Sequence, residues 1–150
     1  YHPRMSNLDS YQSPFSVRYG SAAMRRVWSD NHRRRLWRQV WVALAEAQAE
    51  AGLVTLAQLE DLRAHAGILN PKRSLQIESE IGHDLMAEVK AFAEQCKVGG
   101  GIIHWGATSA DIQDNADILH QRESLDLLLD GLRGLLLAFA AQIEKIGDFA

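Results

Sequence analysis

The last third of the chain constrains its fold most. From about Ser109 almost to the C-terminus runs one helical pattern of roughly 40 residues, in which Leu125, Leu128, Leu132, Leu135 and Phe139 alternate spacings of three and four. At the standard rise such a helix is about 60 Å long, whereas a compact domain of this size is only about 40 Å across. It cannot bury its apolar seam within this chain alone. Either it breaks near Gly131 and Gly134 and folds back, or it is one stave of a larger bundle completed by further residues or other subunits. The second reading is the favoured one. The apolar pattern is still running at Ala150 with no cap, so the sequence is expected to be a truncated piece.

The rest of the chain is helical by the same criterion. From Ser21 onward apolar residues recur at helical spacing, and no segment alternates with period two between hairpin turns, which predicts an all-α fold. The spacing predicts a helix over 31–51 with the stripe Leu36, Val40, Ala43, Leu44 and Ala47, flanked by Trp37 and Trp41 and stopped at Gly52. Thr55 caps a shorter helix to about Ala66, closed by Gly67, and Asn70-Pro71 marks a turn before the next. Met86, Val89, Ala93 and Cys96 give a narrow buried stripe on a fifth helix over 84–96, which Gly99, Gly100 and Gly101 break. The segment from Ser16 to Gly20 follows Ser13-Pro14 and reads as loop. Tyr1 to Arg4 precede Met5 and read as an expression remnant, within a flexible N-terminus over 1–10.

Composition narrows the partners. An apolar content of 47% is enough for one real core, and a net charge of -3 with signs interspersed lacks the field that draws a protein to nucleic acid or an anionic membrane. A small-molecule partner is favoured. With Cys96 as the only cysteine, neither an internal disulfide nor a cysteine-based zinc site is expected, and a reducing cytoplasm fits. Asp130, Gly131, Arg133 and Gly134 interrupt the longest apolar stretch, which argues against a membrane span. His2, His32, His65 and His120 match no metal-ligand spacing, so no metal and no cofactor are expected; Asp114, Asn115 and Asp117 lack the glycine and glutamate of a calcium loop. Arg33, Arg34, Arg35 and Arg38 alternate with the tryptophans and read as a solvated or subunit-facing side.

Three elements carry possible chemistry. Thr108-Ser109-Ala110-Asp111 has the form of a capping box behind a glycine run. Alone it means a well-capped helix; hydroxyls and amide N–H groups at a helix start also suit a carboxylate or phosphate, and glycines let backbone approach a ligand. Gly82-His83-Asp84 stands at the entry to the fifth helix, where a histidine can move protons or donate to an oxyanion, or simply face solvent beside an Asp cap. Ser16-Val17-Arg18-Tyr19-Gly20 offers a guanidinium fork and a phenol to an anion, or a surface arginine beside a tyrosine packed as a lid on the core.

In this order the elements resemble the adenylosuccinate lyases of the fumarase/aspartase superfamily. The resemblance spans about 11–150 and rests on Tyr11-Gln12-Ser13-Pro14 with Arg18-Tyr19-Gly20-Ser21 and Met24, on Leu36-Trp37-Arg38-Gln39 to Leu44-Ala45-Glu46-Ala47, on His83-Asp84-Leu85-Met86-Ala87, and on Ile102-Ile103-His104-Trp105-Gly106-Ala107-Thr108-Ser109 with Asp114-Asn115. It implies an N-terminal lyase domain over 11–108 and the start of a central bundle over 109–150. It also implies β-elimination of fumarate from adenylosuccinate, giving AMP, and from the succinyl-carboxamide intermediate of purine synthesis. By the same resemblance Arg18 and Tyr19 contact the nucleotide, Thr108 and Ser109 hold the succinyl carboxylates, and His83, with Asp84 beside it, orients substrate or assists proton movement. The family's sites are built from three chains of a homotetramer; its general-acid histidine would fall shortly after Ala150 and its serine base far downstream, so this piece alone is expected to be inactive. Gly82 departs from the animal-type members, which carry a basic residue there, and Trp105 stands where they have an aliphatic one. Argininosuccinate lyase shares the frame but not the Arg18-Tyr19 entry, and a non-catalytic helical interaction module is the alternative from another class.

Overall fold

The computed structural model of the chain describes residues 13–147. The readings made for 1–12 and for 148–150 lie outside them. Among the described residues all regular structure is helical: α1 (Ala22–Val27), α2 (Asp30–Glu50), α3 (Leu56–Ala66), α4 (Pro71–Ile81), α5 (Asp84–Ala93) and α6 (Ser109–Ile146), with a π-helical turn at Phe15–Tyr19 and a 3-10 turn at Gly100–Ile102. None of the described helices is long and apolar enough to cross a membrane.

Local signals set most boundaries. Ser29 accepts the His32 N–H to start α2, and Thr55 and Gln58 form a reciprocal capping box on α3. Asn70 caps α4 with Pro71 in its first turn, where the missing N–H costs nothing. Helix α5 stops at Ala93, three residues short of Cys96. The segment expected as loop is instead the π-helical turn: the Gly20 N–H donates to the Phe15 carbonyl, and the Arg25 guanidinium holds the Ser16 carbonyl at 3.1 Å. A Cβ on Gly20 would lie 3.0 Å from that same carbonyl oxygen, a tight contact that favours glycine as the closing residue.

Helix α2 is the axis of the core. It packs against α3 on one side and the first half of α6 on the other, while α4 pairs with α5 and α1 lies on α6. Leu36, Trp37, Trp41 and Ala45 of α2 meet Leu59 and Leu62 of α3, Leu85, Val89 and Phe92 of α5, and Ile112 and Ala116 of α6. The buried face of α2 is therefore rotated from the predicted stripe: Ala43 and Ala47 are exposed, and the tryptophans expected as flanks are central. On α5 the buried face is likewise wider than the predicted stripe, with Leu85, Ala87, Ala91 and Phe92 inside and Met86 and Ala93 only partly covered.

The arginine reading needs a larger correction. Arg35 faces solvent, but Arg34 and Arg38 are buried at 1% and 0% exposure around Glu88, itself fully buried. Glu88 accepts from Arg38 Nε at 2.7 Å, Arg34 Nη1 at 3.0 Å and Ser74 Oγ at 2.6 Å, which joins α2, α4 and α5. Arg38 also donates to the carbonyls of His65 and Ile68 and lies 4.4 Å from the Phe92 ring centroid. An i, i+4 pair of arginines reads as a polar face in one dimension because the acid that neutralises it comes from another helix.

Helix α6 continues unbroken through Gly131 and Gly134 for 38 residues, about 57 Å. The fold-back reading is excluded. Beyond Leu127 its residues are all exposed, the predicted seam of Leu128, Leu132, Leu135 and Phe139 included.

Candidate functional site

His83 is the N-cap of α5: its Nδ1 accepts the Met86 N–H at 3.3 Å, so the neutral ring carries its proton on Nε2. The expected Asp cap is displaced, since Asp84 Oδ1 accepts the neighbouring Leu85 N–H and lies 3.8 Å from His83 Nδ1. Gly82 sits at φ 67° as the left-handed residue that ends α4. This gives its role a physical basis: a basic residue here would have to adopt a conformation that side chains with a Cβ disfavour.

At the other edge of the site stands Thr108, the N-cap of α6, whose backbone N–H donates to Asp111 Oδ2 at 2.8 Å. Thr108 is exposed and Ser109 half-buried, so the helix start opens outward. Trp105, half-exposed, accepts through its carbonyl from Gln48 Nε2 at 2.8 Å, which pins this loop to α2.

Between the two lies a residue that sequence reasoning passed over. His104 has φ 66°, the only positive value at a non-glycine position among the described residues. Its Nδ1 accepts from Trp41 Nε1 at 3.2 Å, with the two rings edge to face. Burial lowers its pKa, the Asp111 carboxylate opposes that, and the nearby His83 adds to it. His104 is thus a neutral imidazole with a fixed Nε2–H, held in a strained backbone by a core tryptophan, and strain of this kind concentrates at functional sites. The signal available in the sequence was its place in the Ile102 to Ser109 stretch; the strain was not readable.

The glycine run serves packing. A Cβ on Gly99 would lie 2.2 Å from Leu62 Cδ1 and 2.5 Å from the Gln58 carbonyl, and one on Gly100 2.8 Å from the Ala93 carbonyl. The close approach of Gly99 and Gly100 is to α3 and α5, whereas a Cβ on Gly101 would meet nothing within 4 Å. The loop is clasped by Asp61, whose Oδ2 accepts the Val98 and Gly99 N–H groups at 2.7 and 2.8 Å. These two amides, Gly99 first, hold the Asp61 carboxyl below the usual carboxylate range. A depressed folded pKa contributes stability above the unfolded value and loses it as pH falls through the folded one. Asp61→Asn is therefore expected to lower the urea midpoint most above about pH 5, and the gap to the unaltered chain should close well below pH ~4. A gap independent of pH would contradict the clasp.

Ligating atoms of Asp61, His65 and Cys96 lie within 4.8 Å of one another, a grouping the sequence did not suggest. It reads as structural. The Asp61 carboxylate is occupied by the loop, His65 Nδ1 bonds the Asp61 carbonyl at 2.8 Å, and burial with Asp61 nearby pushes the Cys96 thiol up to about 11, Arg38 opposing.

The structure brings His83, His104 and the start of α6 into one electrostatic neighbourhood. It does not join Arg18 and Tyr19 to them within one chain. Both are exposed, neither side chain makes a hydrogen bond or ion pair with another described residue, and Trp28, at the end of α1, meets α6 through Ser124, about 22 Å along the helix from Ser109. Thr108 and His83 are exposed and Ser109 and His104 half-buried, so the donors of the site lie at the surface of this chain.

The sequence of the chain has known counterparts. No protein-family model matches the chain. The adenylosuccinate lyase of Saccharomyces cerevisiae is 40% identical over 133 residues, covering 85% of this chain and 27% of that protein. That of Caenorhabditis briggsae is 33% identical over 149 residues, 97% of this chain and 30% of the relative. The enzyme of Methanocaldococcus jannaschii is 38% identical over 125 residues, 81% and 27% of the two. The chain is similar over most of its length to these adenylosuccinate lyases. It spans less than a third of the length of these relatives, and its all-α fold agrees with the resemblance read from the sequence.

Proposed function

We propose that the chain is the N-terminal part of an adenylosuccinate lyase, which releases fumarate from adenylosuccinate to give AMP and from the succinyl-carboxamide intermediate of purine synthesis. The observation that carries this reading is the pairing of two fixed Nε2–H imidazoles, His83 and His104, with the outward-facing N-terminus of α6 at Thr108 and Ser109. In the elimination a base removes a proton from the succinyl carbon, the C–N bond breaks, and the leaving nitrogen takes up a proton. Negative charge gathers on the succinyl carboxylate in between, and preorganised N–H and O–H donors stabilise that charge most when they need no reorganisation. Thr108, Ser109 and the helix dipole supply such donors; His83, beside Asp84, orients the substrate, and His104 fills the gap between them. Arg18 and Tyr19 take the nucleotide phosphate in a site completed by other copies of the chain, which agrees with their separation within one copy. The reading places a homotetramer in the cytoplasm, with the chief acid and base supplied by residues beyond these 150, and with no cofactor in the reaction.

The test uses the full-length protein. His83→Ala and Ser109→Ala are each expected to lower fumarate release by about 100-fold or more, with the fold and assembly intact, as loss of a transition-state donor does. Unchanged turnover in both variants overturns the site.

A further inference from the structure

His120 on α6 is 2% exposed, and neither of its ring nitrogens has a hydrogen-bond partner. A buried neutral imidazole carries one N–H and one lone pair, and leaving both unmet is costly. Its neighbours are metal-binding types. Asp117, His120 and Glu123 recur at three-residue intervals on α6, and α2 sets His32 against them. His32 Nε2 lies 2.7 Å from Glu123 Oε2, His120 Nδ1 lies 3.7 Å from Asp117 Oδ1, and the two imidazole centroids are 5.6 Å apart. Two imidazoles sharing a tetrahedral ion through bonds of about 2.0–2.1 Å have centroids about 5 Å apart. The two rings stand within about half an ångström of that spacing.

We propose that His32, His120, Asp117 and Glu123 bind one divalent transition ion of the zinc type, which ties the start of α2 to the middle of α6. Two nitrogens and two carboxylate oxygens suit Zn2+; Mg2+ and Ca2+ prefer oxygen alone, and no thiolate is offered to softer ions. Closing the site requires Asp117 and Glu123, whose side chains are 60% and 36% exposed, to swing toward the two rings. Trp28 stacks on His120 at 5.0 Å and is itself held by Ser124, so the buried ligand is already oriented. A cleft of about 300 Å3 lined by Trp28, Asp30, Arg33, Asp117 and His120 opens on the Asp117 and His120 side of the set, and the Arg33 charge there is matched by Asp30 at 2.6 Å. Spacing rules missed the set because His32 and His120 come from opposite ends of the sequence.

Titration of the untagged chain with Co2+ tests the site. The expected result is one equivalent bound with the visible d–d bands of tetrahedral cobalt, displaced by Zn2+ and lacking a sulfur-to-cobalt charge-transfer band. Asp117→Asn and Glu123→Gln, both at the surface, should each weaken binding by more than about tenfold, since loss of a direct ligand exceeds what outer-shell changes cause. Absence of the bands, a charge-transfer band reporting Cys96, or affinity unchanged in both variants overturns the proposal. His120→Leu, should it fold, must also lose the bands; retention overturns it equally.

Discussion

Glu88→Ala is expected to destabilise the chain by about 3–5 kcal/mol, the range for stranding buried charges. Two guanidinium groups at 1% and 0% exposure would lose their shared acceptor at once. Arg34 would keep Asp30 at 3.0 Å and Glu78 at 3.6 Å, whereas Arg38 would keep only neutral carbonyl oxygens at 2.9–3.0 Å. Glu88→Gln preserves the shape and one acceptor, so it should cost less than the alanine. Replacing Arg34, Arg38 and Glu88 together by apolar residues of similar volume should cost less still, because desolvation of three charges disappears with their attraction. Chemical denaturation monitored by circular dichroism checks the order. An alanine variant within about 1 kcal/mol of the unaltered chain would show that the arginines re-solvate and that the cluster is not what joins α2, α4 and α5.

Charging the apolar face of α6 is expected to abolish self-association. Leu128, Leu132, Leu135, Leu136, Phe139 and Ile143 are all more than half exposed, which puts a continuous apolar strip in solvent. The 150-residue chain should therefore scatter light as an oligomer at high concentration. Burying one leucine contributes about 1.5–3 kcal/mol, so Leu132→Glu with Leu135→Glu removes at least about 3 kcal/mol per protomer and raises the dissociation constant by about a hundredfold or more. Helix content should be unchanged, since neither leucine is in the chain's own core. A monomer before substitution would sink the bundle reading.

Elements with local causes were legible. The cap at Thr55, the turn at Asn70-Pro71, the length of α6 and the entry of α5 at His83 follow from residues within four positions of one another. Features set by distant partners were not. The rotated face of α2 depends on helices on both its sides, and the burial of Arg34 and Arg38 depends on Glu88, fifty residues or more away. The same division runs through the site. His83, Thr108 and Ser109 stood out by motif; His104 is distinguished by a backbone angle and a tryptophan from α2, and Asp61 by amides of a loop that follows α5. Two of the glycines of that loop, Gly99 and Gly100, owe their place to helices distant in sequence.

The continuity of α6 gives the helix a mechanical property. A straight rod of about 57 Å that tilts by about 5° about its middle moves each end by about 2.5 Å. Any tilt at the exposed end of α6 is thus delivered by leverage to Thr108 and Ser109 at the opposite tip.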